Sequence, residues 1–75
     1  MITPEQCRAG RGLLDWTQQK LADQAQVGVV TIRHLEAGGN APRRATLEVI
    51  QRAFELAGVE LINENSGTGV VLRKR

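Results

Sequence analysis

The sequence predicts an all-α domain of four helices followed by a C-terminal β-hairpin. Helix caps and apolar residues at helical spacing recur from Thr3 to Ala57. Only three residues separate the second predicted helix from the third. After Gly58 the apolar residues change to the spacing of strands. We therefore expect a helical domain over residues 1–58, and a hairpin with a basic tail over residues 59–75.

Length and composition indicate one small domain. Seventy-five residues bury only a marginal core, which favours oligomerisation as a source of extra stability. The apolar share of 41% and the charged share of 24% are typical of a soluble globular chain. Because the sequence has no apolar run long enough for a membrane span and no N-terminal leader pattern, we expect a cytoplasmic protein with no membrane partner.

The types of residue present argue against an enzyme. One cysteine and one histidine are too few for a zinc site, and the sequence lacks a strand-linked glycine-rich loop or an acidic cluster with metal spacing. We therefore expect no catalytic residues, no metal, no cofactor and no small-molecule ligand. Cys7 is interpreted as a small core residue.

Local signals place the first two helices. Thr3, Pro4 and Gln6 form a capping-box pattern that starts a helix running to about Leu14. The glycines at positions 10 and 12 weaken this helix and leave room for a neighbouring helix to approach. Thr17 caps the second helix, and Trp16 is placed to pack on Leu21.

The third helix is predicted over residues 28–37. Its short connection to the second helix imposes a steep angle, which is the outline of a helix-turn-helix. At helical spacing Ile32 and Leu35 face inward with Leu21, Ala22 and Ala25 of the second helix. The opposite side of the third helix carries Val30, Arg33, His34 and Ala37, with Val29 at the margin.

Several spaced positions in this region carry a family resemblance. They are Thr17-Gln18, Leu21-Ala22, Val27, Thr31-Ile32, Leu35-Glu36 and Gly38. Together they resemble the helix-turn-helix of the Cro and phage-repressor group, also called the XRE family, over about residues 3–57. The resemblance implies a lambda-repressor-like DNA-binding domain and a double-stranded DNA partner.

The resemblance also implies roles for individual residues. It assigns phosphate contact to Gln18 and a structural ion pair to Arg11 with Glu36. The outer positions of the third helix would contact bases, and these are Val29, Val30, Arg33 and His34. Two positions depart from the family pattern. Gln26 stands where glycine is usual and must adopt a left-handed conformation at about 1 kcal/mol, and Gly28 is a weaker cap than serine or threonine.

Each binding role has a structural alternative. The predicted phosphate contacts are Thr17, Gln18, Asn40, Arg43 and Arg44, although the two arginines also fit a solvated pair that opens the next helix. Val29 fits a half-buried position, and Arg33 fits an ion pair with Glu36. His34 fits simple solvent exposure. The basic residues 73–75 fit a solvated tail better than an arm in the minor groove.

The fourth helix is predicted from about Ala45 or Thr46 to Ala57. It has one apolar face for the core (Leu47, Ile50, Phe54) and a second one (Val49, Ala53, Leu56). The second face needs cover from the C-terminal segment or another subunit. We expect strands at residues 59–64 and 70–74, joined by a five-residue loop, to pack on this second face and to contribute to a dimer by strand pairing.

These expectations converge on a homodimeric transcriptional repressor that reads an inverted repeat through its third helix. Two such helices would enter adjacent turns of the major groove about 34 Å apart. The alternative is a protein-binding adaptor, or the antitoxin of a toxin-antitoxin pair, that uses the second apolar face of the fourth helix and the hairpin.

Overall fold

The computed structural model describes residues 1–39 and 41–73. Its elements in chain order are α1 (Pro4–Leu14), α2 (Gln18–Ala25), α3 (Val29–Ala37), α4 (Arg44–Leu56), β1 (Val59–Glu64) and β2 (Gly67–Leu72). The strands form a two-stranded antiparallel sheet. The predicted fold of four helices and a hairpin is confirmed, although α4 begins slightly earlier than expected.

Side-chain caps start the first two helices. The Thr3 hydroxyl accepts the Gln6 backbone N–H at 3.1 Å, and the Thr3 N–H donates to Gln6 Oε1 at 3.0 Å. The Thr17 hydroxyl accepts the backbone N–H of Lys20 at 3.0 Å. Each contact satisfies a backbone donor that has no partner within its helix, so both starting points follow from local sequence.

The first two helices end on residues in the left-handed conformation. Gln26 has φ of 58°, as expected, and Asp15 has φ of 59°, which the sequence reading missed. The following N–H groups return to the preceding helix, from Trp16 to Arg11 O at 2.9 Å and from Val27 to Ala22 O at 3.0 Å. Neither residue is glycine, so each turn carries a backbone strain of roughly 1 kcal/mol or more that the core must offset.

One core joins the four helices to the start of β1. Its buried apolar residues are Ile2, Cys7, Leu21, Ala22, Ala25, Ile32, Leu35, Ile50, Ala53, Phe54 and Val59. The half-buried ring of Trp16 stacks on Phe54 with centroids 6.2 Å apart. The inward positions predicted for α2 and α3 are therefore correct, and Cys7 is fully buried as expected.

The hairpin differs from its prediction in length and loop. Glu64 pairs with Gly67, so only Asn65 and Ser66 connect the strands, where a five-residue loop was expected. The prediction failed because Gly67 and Gly69 have little strand preference. Backbone pairing across a two-residue connection does not depend on that preference.

The hairpin also packs in a different place. It lies mainly against α1 and also contacts α4, whereas Val49 and Leu56 of the predicted docking face are 43% and 66% exposed. Ala53, the third residue of that face, is buried in the helical core. The expected packing on the Val49, Ala53 and Leu56 face is therefore wrong.

A buried amide explains this position. The Gln6 side chain is fully buried, and its Nε2 lies 3.0 Å from Gly69 O, 3.1 Å from Ile62 O and 3.2 Å from Asn63 Oδ1, so its two hydrogens are shared among three acceptors. A buried amide without partners would be costly, and the strand carbonyls supply these partners. Hydrogen bonding to Gln6 therefore holds the hairpin on α1, while Leu61 and Val70 pack against the core.

The two glycines of α1 should respond oppositely to alanine. A Cβ at Gly10 would lie 2.8 Å from Cε1 of the fully buried Phe54 ring, whereas a Cβ at Gly12 meets nothing within 4 Å. Gly10→Ala should lower the free energy of unfolding by about 1 to 2 kcal/mol despite its better helix propensity. Gly12→Ala should raise it by roughly 0.5 to 1 kcal/mol.

Urea denaturation of both variants measures this difference. Gly12→Ala is the matched control, because it makes the same substitution in the same helix at an open position. Equal effects from the two substitutions would contradict the close packing of α1 on Phe54.

Candidate nucleic-acid interface

The helix α3 has one buried face and one exposed face. Ile32 is fully buried and Leu35 nearly so, whereas Val30 is 52% exposed and Arg33 and His34 are also exposed. The fold thus places the inward and outward residues of α3 as the helical spacing predicts. The exposed face is short, uncovered and rich in groups that donate hydrogen bonds.

For Val29, at the margin of this face, the structure favours the half-buried position over base contact. Val29 is half-buried and packs against the core, so only part of its side chain is open to a partner. On the other side, His34 and Thr31 line a shallow groove of about 360 Å³ together with Pro42, Arg43 and Thr46. Thr31 is a half-buried residue of this surface that the sequence reading did not select for contact.

A carboxylate behind α3 fixes the orientation of the helix. Glu36 Oε2 accepts Arg11 Nε at 2.7 Å and the Cys7 thiol at 3.1 Å. Glu36 Oε1 accepts Arg11 Nη2 at 2.7 Å and Gln18 Nε2 at 3.1 Å. The bidentate ion pair expected between Arg11 and Glu36 is therefore present, and two further donors complete what we call the Glu36 cluster (Cys7, Arg11, Gln18 and Glu36).

Main-chain contacts extend this cluster. Arg8 Nη1 donates to the backbone carbonyl of Glu36, near the C-terminal end of α3. Arg11 Nη1 donates to the carbonyl of Trp16 at 3.0 Å, in the turn between α1 and α2. Three helices and one turn are therefore joined by side chains that meet behind the exposed face of α3.

Burial and hydrogen bonding within the cluster shift the pKa values of Glu36, Arg11 and Cys7. Burial alone would raise the pKa of Glu36, but hydrogen bonds from Arg11, Cys7 and Gln18 outweigh it and hold the pKa below its ordinary value of 4.5. The hydrogen bond to Glu36 raises the pKa of Arg11. Burial, followed by the hydrogen bond to Glu36, raises the pKa of the Cys7 thiol, so Cys7 stays a neutral donor.

The spacing of residues along α1 indicated some of the side chains that surround Glu36. Cys7 precedes Arg11 by four residues and Arg8 precedes it by three, so the three side chains lie on neighbouring positions of one side of α1. That signal could have identified Cys7 and Arg8 as companions of Arg11. The contact of Gln18 with Glu36 had no comparable signal, because it joins different helices.

The arginines near α3 differ in whether they form an ion pair with a carboxylate. Within residues 1–39 and 41–73, Arg33 and Arg43 form no ion pair. The alternative pair of Arg33 with Glu36 does not form, because Arg11 occupies that carboxylate. Arg44 contacts Glu48 at 3.3 Å, but both side chains are mostly exposed, so the pair contributes little.

The remaining predicted contacts are placed as follows. Thr17 is the cap of α2, and its hydroxyl is occupied as an acceptor. Gln18 is half-buried with its amide on Glu36. Arg43 is exposed at the start of α4. Asn40 lies outside the described residues.

The basic tail is described only at its first residue. Arg73 forms an exposed ion pair with Glu60 at 3.0 Å, which agrees with the solvated alternative for this residue. The tail beyond Arg73 lies outside the described part of the chain.

Comparison with known families agrees with this geometry. A family model described as helix-turn-helix matches residues 8–61, which is more than half of the chain. The chain belongs to the helix-turn-helix family of the Cro and phage-repressor (XRE) type. No curated protein was found to match the sequence.

Membership of the XRE family gives the protein its general function. Proteins of this family are DNA-binding transcription regulators, and the match covers α2 and α3 together with the Glu36 cluster except Cys7. Within the described residues, no helix is long and apolar enough to cross a membrane. The exposed face of α3 is therefore the candidate DNA-reading surface of an XRE-type regulator.

The low pKa of Glu36 predicts a specific loss of stability in acid. A depressed folded-state pKa means that the unfolded chain binds the proton more readily. The stabilisation is complete above about pH 4.5 and is lost as the pH falls through the lower folded-state value. Glu36→Gln should lower the free energy of unfolding by about 2 to 3 kcal/mol at neutral pH, because charged hydrogen bonds are lost.

Denaturant unfolding of both proteins between pH 7 and about pH 3 tests this prediction. The difference between wild type and Glu36→Gln should shrink as the pH falls, since other carboxylates titrate equally in both. A difference that stayed constant down to the lowest pH would show that the Glu36 charge does not stabilise the fold.

Proposed function

We propose that the protein is a sequence-specific transcriptional regulator that binds double-stranded DNA as a homodimer and reads an inverted repeat through α3. The observation that carries this proposal is the exposed face of α3, held from behind by the Glu36 cluster. A helix of nine residues is marginal alone in water. Its fixed attachment leaves Val30, Arg33 and His34 free for contact.

Phosphate contacts supply affinity without sequence preference. In our proposal these contacts come from Thr17, Gln18, Asn40, Arg43 and Arg44. Arg43 is the strongest candidate, because it is exposed, lines the groove beside His34, and has no ion-pair partner within the described residues. Gln18 holds Glu36 through one amide nitrogen, whose second hydrogen remains able to meet a phosphate oxygen.

Base contacts supply the sequence preference. Arg33 is suited to a bidentate bond with guanine, and His34 to a base edge or phosphate. Val30, with about half of its surface exposed, is suited to a thymine methyl group. Val29 contributes less in this proposal, because its side chain also packs on the core.

The geometry of B-DNA sets the spacing of the proposed homodimer. Two copies related by a two-fold axis would place their α3 helices about 34 Å apart, in successive turns of the major groove. Occupation of a promoter by such a dimer blocks transcription, so repression is the simplest outcome. The protein would act in the cytoplasm, on the chromosome, without a cofactor.

Substitution of Arg43 tests the phosphate contacts. Arg43→Ala should weaken binding to specific and random DNA alike, and should reduce the slope of log affinity against log salt by about 1. Arg52→Ala is the matched control, because it also removes an exposed arginine. Arg52 lies farther along α4, beside Glu48 and Val49, and does not line the groove next to His34. Fluorescence anisotropy over a salt series measures both variants.

An adaptor or antitoxin that does not use DNA would give a different result. Its weak DNA binding would show little salt dependence, and Arg43→Ala and Arg52→Ala would behave alike. Either observation would contradict the phosphate contacts proposed for Arg43.

Substitution of Arg33 tests base reading separately. Selection of bound sequences from a random pool should return a palindrome for the wild-type protein. Arg33→Ala should relax one base pair of each half-site, at a cost of about 1 to 3 kcal/mol for that pair. Arg43→Ala is the control, since it should weaken binding and leave the selected sequence unchanged. An unaltered consensus for Arg33→Ala would show that Arg33 does not read a base.

A further inference from the structure

We propose that Gln18 determines sequence specificity without touching a base, because its side-chain amide sets the orientation of α3 through Glu36. This inference rests on the proposed function and names a further positioning residue within it. A phosphate contact at Gln18 would add affinity for any DNA, whereas the contact with Glu36 would act on the sequence that α3 prefers. The two roles therefore differ in a quantity that can be measured.

The carboxylate of Glu36 fixes which way the Gln18 amide faces. Gln18 Nε2 donates to Glu36 Oε1 at 3.1 Å, and an ionised carboxylate can only accept hydrogen bonds. The amide oxygen of Gln18 must therefore point away from Glu36, so the amide has one orientation. The Glu36 side chain is 5% exposed and Gln18 is half-buried, so little water competes for this bond.

This bond is the directional link between α2 and α3. Within the described part of the chain, no other side-chain hydrogen bond joins these two helices. The buried residues of α2 are Leu21, Ala22 and Ala25, and two of these three have only a methyl group to interlock with a neighbouring helix. Such apolar contacts hold the helices together but restrain their relative rotation weakly.

The ion pair with Arg11 needs this second link. Arg11 holds the Glu36 carboxylate from α1, through two contacts of 2.7 Å. Both contacts end on the same carboxylate, so α3 could pivot about that point and still keep them. Gln18 holds the carboxylate from α2, in a different direction. The two attachments together define the rotation of α3 about its own axis.

A small rotation of α3 would disturb the proposed base contacts. Arg33 lies about one turn before Glu36 along the helix, and His34 lies about 160° from Glu36 around its axis. At the side-chain surface, roughly 5 to 6 Å from the axis, a rotation of about 10° moves an atom by about 1 Å. Hydrogen bonds tolerate a spread of only about half an ångström in length. Loss of the Gln18 contact should therefore weaken base discrimination by Arg33 and His34 together.

Substitution of Gln18 by methionine tests the proposal, because methionine keeps the length of the side chain and removes its hydrogen-bond donors. Fluorescence anisotropy should compare the palindromic duplex that the wild-type protein selects with a random-sequence duplex of equal length. Gln18→Met should lower the ratio of the two affinities by about tenfold, since each copy of α3 in the dimer loses a restraint. An equal loss for both duplexes would show that Gln18 only contacts phosphate, and would overturn the proposal.

Two further substitutions calibrate this ratio. Gln19→Met is the matched control, because the Gln19 amide is exposed and contacts Asp23 on its own helix. It should leave the ratio unchanged. Arg43→Ala should weaken binding to both duplexes by the same factor, because it removes a phosphate contact alone. A ratio that fell in either variant as far as in Gln18→Met would reject the specific role of Gln18.

A lysine at position 18 keeps the proposal falsifiable if Gln18→Met fails to fold. The ammonium group of Gln18→Lys retains a donor for Glu36, so the affinity ratio should stay within about twofold of wild type. The added cation should raise the affinity for both duplexes. A ratio about tenfold below wild type would show that donation to Glu36 does not set specificity.

Hydrogen exchange without DNA separates this inference from the proposed function. Gln18→Met should speed exchange of the backbone N–H groups of residues 33–37 in α3, and should do so more than for those of α1. Equal changes in the two helices would overturn the positioning role, whether or not the protein binds DNA. A wild-type protein that selects no sequence would instead overturn the proposed function and the specificity inferred from it.

Discussion

The bonds that meet at the Glu36 carboxylate set the position of α3. Apolar contacts of Ile32 and Leu35 bury one face of α3, but such contacts are not directional. The bidentate pair with Arg11, at 2.7 Å for both contacts, is directional and ties α3 to α1. The added bond from Gln18 fixes α3 relative to α2. Burying a charge is costly, and the donors around Glu36 offset that cost while restricting the helix to one orientation.

A second buried polar group, the Gln6 amide, fixes the position of the hairpin as Glu36 fixes that of α3. Gln6 docks the strands on α1 through three hydrogen bonds, and it is followed directly in the chain by Cys7, which donates to Glu36. The helix α1 is thus the common support of the candidate DNA-reading face and of the hairpin. This support depends on close packing of α1 against the core. Gly10 permits that packing, because the Phe54 ring occupies the space of its missing side chain.

Local signals in the sequence predicted the helices. The position of the hairpin and the contact of Gln18 with Glu36 depend on long-range polar contacts and could not be predicted in the same way. The caps at Thr3 and Thr17 and the inward spacing of α2 and α3 depend on neighbouring residues, so they can be read from the chain. The hairpin position depends on Gln6, which lies 56 residues from its partner Ile62. No periodicity reports such a contact, so the covering of Val49 by the hairpin was mispredicted. The pair of Arg11 with Glu36 was anticipated only through the family resemblance, and the contact of Gln18 with Glu36 was not anticipated.

The restraints on α3 are distributed unequally along its length. Its C-terminal end is held by Glu36, by the bond from Arg8 to the Glu36 carbonyl, and by the left-handed turn at Gly38. Its N-terminal end starts at Gly28, which supplies no side-chain cap, so the first N–H groups of the helix depend on outside acceptors. Bound DNA offers phosphate and base acceptors to helix N-termini. In the proposed complex, the end of α3 that carries Val30 would gain acceptors from DNA, whereas the end near Glu36 is already fixed by the protein itself.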